Sequence, residues 1–357
     1  KTLFFAFTGK MPEYEYKILE IQDGYEFWNL KKFTLDEFVE TLKIKIPPVN
    51  SKVLCNYKMG DTTKKDAGYC ITENQYQQCS WGLLIPNTLE DGGFSNIETL
   101  FLLNLYSQNF LYPVFHANDM GIKRQKYDKD SLMGCLGYFH TQNHEIFKSR
   151  NFFTFHKILF EQSKYGGWDF TSFKDEDWRL RVAAMLYSGL TDYDNTKNPL
   201  CWQRESAEMT IILETLFTSD DTANEEIKYR LCKRTAVLLA WKFPDIEKDI
   251  KELYTARSAF VHGSFFKQIA KKISKESNNL PVPDFDLLYK HKEYTRLAFV
   301  AYLNLAKIIK SKEIDNVKSV MDALEKAIID LKLREKIITE TKSLFDLMPE
   351  PTLEQLQ

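Results

Sequence analysis

Leu253-Tyr254-Thr255-Ala256-Arg257-Ser258-Ala259-Phe260-Val261-His262-Gly263 decides how the carboxy-terminal half of this chain is read. It contains no helix breaker until its last residue. Glycine tolerates the left-handed backbone that commonly follows a helix, so Gly263 marks a helix end. Pro244, a favoured residue in a first helical turn, marks the start, which predicts one helix from 244 to His262. The same stretch sets Arg257 five residues before His262. Arginine offers a fixed fork of donors to a phosphate, and histidine moves a proton near neutral pH. Together they are the minimum equipment for cleaving a phosphodiester.

Outward from this stretch the periodicity stays helical. Asp175-Glu176-Asp177 opens a run through Leu180, Ala183 and Tyr187 to Gly189. A second runs from Leu200 to Phe217, with Met209, Ile212, Leu213 and Leu216 on one side. A third runs from Asn224 to Trp241. After the Ser274–Pro283 segment, Leu287–Lys310 and Ile314–Phe345 each read as one long amphipathic helix. Short connections between such helices predict an antiparallel bundle.

The amino-terminal part is patterned differently. Leu3–Thr8, Tyr14–Ile21 and Lys52–Tyr57 are short aromatic or β-branched runs between turn residues and read as strands. Thr34-Leu35-Asp36-Glu37 is a helix start, a threonine cap with acids in the first turn. Another helix is expected from Asn96 to Ser107. The expectation is therefore an α+β chain: a mixed, strand-containing domain over 1–175, an all-α domain over 176–345, and a tail over 346–357.

Composition narrows the function classes. With 44% hydrophobic and 14% aromatic residues, 357 residues can bury two cores, which excludes wholesale disorder. The 48 basic and 50 acidic side chains nearly cancel, so a nucleic-acid footprint has to be local. Six cysteines without a Cys-x-x-Cys pair fit neither a zinc ribbon nor a small disulfide scaffold, and point to reduced thiols in a cytoplasmic protein. The apolar Leu3–Phe7 opening is too short for a signal peptide or a membrane span.

The local footprint is present. From Ile227 to Lys275 there are twelve basic residues against four acids, among them Lys228, Lys233, Arg234, Lys267, Lys271 and Lys272. With Tyr254 these form the candidate RNA-binding set, because phosphate backbones are held by lysine and arginine. Two other constellations compete. Arg150 and His156 form a second arginine–histidine pair, flanked by Phe152, Phe153 and Phe155, a composition that equally describes a packed core. His140 and His144 share a helix face that can hold a metal, but no third ligand accompanies them. For Arg257 and His262 themselves the alternative is a plain helix end, with Arg257 paired to Glu252 or Asp249.

Three blocks carry a family likeness: Leu213-Glu214-Thr215-Leu216-Phe217, Ile227–Leu239, and Leu253-Tyr254-x-x-Arg257-Ser258-x-x-x-His262-Gly263. In that order they resemble the HEPN superfamily (higher eukaryotes and prokaryotes nucleotide-binding), specifically its Apea-like branch. The likeness covers roughly residues 176–345. It implies a helical bundle that pairs into dimers and acts as a metal-independent endoribonuclease in a toxin or antiviral defence role, without a cofactor. By resemblance, Arg257 and His262 take the family's arginine and histidine positions. Ser258 stands where Asn, Asp or His often follows the arginine, and Glu214 matches an acid often seen on a preceding helix. The alternative is a non-catalytic HEPN module that binds nucleic acid or a protein partner.

The chemistry agrees with that expectation. An RNA 2′-hydroxyl attacks its own phosphate when a base takes its proton, an acid protonates the leaving oxygen and a cation steadies the phosphate. No metal is needed, and the products are a 2′,3′-cyclic phosphate and a 5′-hydroxyl. Five residues of α-helix turn through about 140°. The two groups then converge only if the helix end unwinds or a second protomer supplies its own pair across a two-fold axis, and the geometry favours a composite site between two protomers.

Overall fold

The computed structural model describes residues 2–7, 16–22, 24–46, 73–86, 103–106, 113–118, 121–124, 151–155, 158, 177–189, 201–218, 224–263, 285–311, 314 and 316–349. Two compact units divide the chain, 1–154 and 155–357. The fold is α+β: an antiparallel sheet with helices in the first unit, and helices alone among the described elements of the second.

Thr2–Phe7 (β1) carries phenylalanine at positions 4, 5 and 7, and Phe4 to Phe7 are sealed from solvent on both faces. A strand apolar on both faces belongs inside a sheet. β1 lies there, in the order β2 (Ile18–Gln22), β3 (Tyr25–Asn29), β4 (Trp81–Pro86), β1, β5 (Pro113–Asn118), β6 (Gly121–Arg124). Every neighbouring pair is antiparallel. On one face Phe4, Ala6, Trp28 and Leu84 pack with Phe38, Leu42 and Ile46 from α1 (Leu35–Lys45) and its end. Gly82 makes this possible, since a Cβ there would stand 2.2 Å from the Phe4 ring. On the other face Trp81 stacks on Phe7 at 4.3 Å and on Phe27 at 5.5 Å.

α1 starts as expected. Thr34 Oγ1 accepts from the Glu37 amide, and the Glu37 carboxylate accepts from the Thr34 amide, a reciprocal cap. The expected strand at 14–21 is β2, starting at Ile18; the one at 52–57 lies outside the described residues, as does most of the helix expected from Asn96, of which 103–106 is seen as helical. β3 to β6 and the short helix α2 (Glu73–Gln78) were not anticipated.

The second unit contains α3 (Asp177–Gly189), α4 (Cys201–Phe217), α5 (Asn224–Leu239), α6 (Ile246–Val261), α7 (Phe285–Lys310), α8 (Val320–Ile329) and α9 (Leu331–Phe345). α7 is the pillar: every residue from Glu293 to Leu305 is buried, so this helix is enclosed on all sides. Several of its buried polar side chains are held internally. Arg296 holds Glu293 through two bonds of 2.7 and 2.6 Å, and Asn304 Nδ2 donates to the Glu340 carbonyl at 3.0 Å. α4 packs against α3, α5, α6 and α7, while α5 packs against α6, α8 and α9. The single helix expected over 314–345 is two helices. Asp330 ends α8 in an extended conformation and caps α9, its Oδ1 accepting from the Lys332 and Leu333 amides. An aspartate competes for backbone amides in this way, and the hydrophobic period does not register it. Among the described residues no helix is long and apolar enough to cross a membrane.

Candidate functional site

α6 is helical from Ile246 to Val261, and His262 is its carboxy-terminal cap, with its amide donating to the Ser258 carbonyl at 3.0 Å. Gly263 follows at φ 71°, with open space where a Cβ would be. Its need for glycine is thus conformational rather than steric. The helix is anchored by Ile246, Ile250 and Leu253, which are buried. Beyond Leu253 the helix emerges: Thr255, Ala256, Val261 and His262 are exposed, while Tyr254, Arg257 and Ser258 are half-buried.

Arg257 pairs with neither Glu252 nor Asp249. Its Nη2 donates to Glu214 Oε2 on α4 at 3.2 Å, across 43 positions of sequence. Asp249 instead accepts from the Tyr294 hydroxyl at 2.6 Å. The Arg257–Glu214 contact is a single bond. Glu214 Oε1 and Arg257 Nε are both closed off from water and have no hydrogen-bond partner. Burial pushes the Glu214 carboxyl upward, and the Arg257 charge beside it pulls the other way more weakly. Tyr254, one turn before Arg257, has its hydroxyl pushed upward by burial and by Glu214. The two carriers of charge and the phenol are thus in one electrostatic neighbourhood.

Lys228 of α5 joins this group. Its Nζ donates to Thr255 Oγ1 at 2.9 Å and stands 6.0 Å from the centre of the Tyr254 ring. Lys233, one turn further along α5, lies 5.8 Å over Tyr229 and is tied to Glu247 at 2.8 Å. These contacts make α5 and α6 antiparallel neighbours. The end of α4, the start of α5 and the end of α6 therefore come to one end of the bundle, where contacts link Glu214, Arg257, Tyr254 and Lys228, and Ser258 and His262 follow on the same end of α6.

Arg234 departs from the expected set. It is 3% exposed, with Nη1 bonded to the Phe217 carbonyl and 3.3 Å from Met321 Sδ, and Nη2 donating to Glu325 at 2.9 Å. It ties α5 to α4 and α8 and is not on a basic surface. Its position in a run of basic residues concealed this, because Arg234 falls on the apolar side of α5 with Leu231 and Leu238. Lys267, Lys271 and Lys272 lie outside the described residues, as do Arg150, His156, His140 and His144. The phenylalanines flanking the second arginine–histidine pair, Phe152, Phe153 and Phe155, are buried. Among the described residues no group of three metal-ligating side chains assembles.

One polar cluster had no sequence signal. His291 is fully buried on α7, with Nδ1 3.2 Å from Ser206 Oγ of α4 and Nε2 unpartnered. Beside it in sequence, Lys292 pairs with Glu205 at 2.7 Å. These contacts join residues 85 and 87 positions apart, beyond the reach of any local pattern.

The chain matches no protein-family model, no curated protein and no solved structure.

Proposed function

We propose that this chain is a metal-independent endoribonuclease of HEPN type, cutting RNA by 2′-hydroxyl attack in a toxin or antiviral defence role. The observation that carries the reading is the joining of Arg257 to Glu214 at the end of the helix that His262 caps. Three sequence blocks that nominate the family thereby contribute to one end of one bundle. In this reading Arg257 binds the scissile phosphate, His262 protonates the leaving 5′ oxygen, and Ser258 hydrogen-bonds nearby. Tyr254 and Lys228 hold the flanking nucleotide by stacking and charge. Five residues of regular helix put Arg257 and His262 about 140° apart, and in this reading the working site is composite, with two protomers related by a two-fold axis.

The test is cleavage of single-stranded RNA in chelator. The wild-type chain is expected to leave 2′,3′-cyclic phosphate and 5′-hydroxyl ends. Arg257→Ala and His262→Ala are each expected to lose activity, the histidine by about 10²–10⁴-fold. Undiminished cleavage by both variants would sink the assignment of the site. The second reading, an RNA- or protein-binding module without catalysis, draws on the occupation of Arg257 by a carboxylate. It predicts salt-sensitive RNA binding and no cyclic-phosphate ends.

A further inference from the structure

We propose that Glu214 is the proton acceptor of this site, held idle by Arg257 and released when a substrate phosphate draws the arginine away. The inference rests on the ribonuclease reading and fills its one unassigned role, the base that takes the 2′-hydroxyl proton.

The geometry of the pair is the starting point. A guanidinium and a carboxylate that meet inside a fold frequently do so side by side, with two parallel bonds; Arg296 and Glu293 do this in the same unit. Arg257 and Glu214 do not. They share one bond of 3.2 Å and leave a buried donor, Arg257 Nε, and a buried acceptor, Glu214 Oε1, without partners. An unmade hydrogen bond in a dry place is unfavourable, and both halves of it are here at once. A ribose 2′-hydroxyl next to its phosphate supplies what each lacks: an O–H for the carboxylate and an anionic oxygen for the guanidinium. A deoxyribose supplies only the second, so the same pair selects RNA over DNA.

The electrostatics run in the same direction. Among the described residues, Arg257 favours the ionised form of Glu214, burial opposes it, and Tyr254 from α6 is the other titratable group coupled to it. Moving Arg257 onto a phosphate removes the favourable charge and brings a negative one nearby. Both changes make the carboxylate a stronger base at the moment substrate arrives. Atoms balance along the step. The 2′-O–H bond breaks and its proton passes to Glu214 Oε1. The 2′ oxygen bonds to phosphorus, the bond from phosphorus to the 5′ oxygen breaks, and that oxygen takes a proton from His262. This transesterification consumes no water, and the two side chains return to their starting states by proton exchange with solvent.

Two measurements test this. In the first, kcat/KM for RNA cleavage is followed against pH for the wild-type chain and for Glu214→Gln, which keeps shape and removes basicity. The variant is expected to be about 10²–10⁴-fold slower and to lose the fall in rate on the acidic side. A Glu214→Gln variant that cleaves with the wild-type rate and profile overturns the role given to Glu214. Wild-type protein that cleaves no RNA overturns the ribonuclease reading and this inference with it. The second needs no variant. Calorimetric binding of a 2′-O-methyl oligouridylate with hydroxyl ends is compared in two buffers of different ionisation enthalpy. At about pH 5 a solvent-exposed imidazole of ordinary pKa is already protonated, so uptake there reports mainly on carboxylates. Net proton uptake on binding is expected as Glu214 loses Arg257; binding without uptake, or no binding, overturns the release mechanism.

Discussion

Arg234 and Arg257 are 23 residues apart in one basic segment and sit in opposite circumstances. Arg234 is buried to 3%, and its guanidinium closes the carbonyl of Phe217 at the end of α4. Replacing it with Met leaves that carbonyl unpaired and is expected to destabilise the chain by about 1–3 kcal/mol in denaturant titration. RNA affinity of the folded variant is expected to match wild type. Arg257 is the reverse, a charge held near the surface by one bond. His291 provides a third kind of residue. Burial lowers its pKa from 6.5 to about 3, so the folded state keeps it neutral while the unfolded chain takes up a proton. The unfolded state then binds more protons below the unfolded value, and stability falls as pH drops from about 6.5 toward 3. The slope from this group is at most about 1.4 kcal/mol per pH unit. Urea midpoints measured across that range are expected to decline in the wild-type chain, and more gently in His291→Gln. An equal decline in both would remove His291 as the cause.

Helix and strand identity was legible wherever a local chemical device sets it. Thr34 and Glu37 cap α1 as their spacing foretold, and Gly263 adopts the positive φ that its place behind α6 required. Thr34→Ala is expected to cost about 1 kcal/mol, since it removes one half of the reciprocal cap. Two of the departures from the expected elements have a plain physical reason. The break at Asp330 comes from a side chain capturing amides, and it lies within an unbroken apolar period. β4 is hidden from the hydrophobic pattern because Gly82 interrupts its run, yet the glycine is what lets the Phe4 ring cross it. Gly82→Ala forces a Cβ to within 2.2 Å of that ring. A loss of about 1–3 kcal/mol is expected from overpacking, read as a lowered Tm. A Tm unchanged by this substitution would mean that the sheet relaxes around it at no cost.

At the scale of the molecule, the proposed composite site makes a prediction that no single variant can. If each site takes Arg257 from one protomer and His262 from the other, a heterodimer of Arg257→Ala with His262→Ala retains one intact site of two. Mixing and re-equilibrating the two inactive variants is then expected to restore about a quarter of wild-type activity by statistical pairing. No recovery, with dimers shown by sedimentation, places both groups within one protomer.

The α+β class, the helical second unit and the ends of most of its helices were present in the chain as written, because periodicity, caps and glycines act over a few residues. The nomination of Arg257, His262 and Glu214 was present too, as three separate positions. What only the tertiary structure decided is who meets whom: Glu214 with Arg257 over 43 positions, Arg234 with Glu325 over 91, Ser206 with His291 over 85. Those pairings follow from how α4 to α8 pack around α7. Packing is settled by the burial of whole helix faces, a sum over many distant contacts that no short stretch of sequence contains.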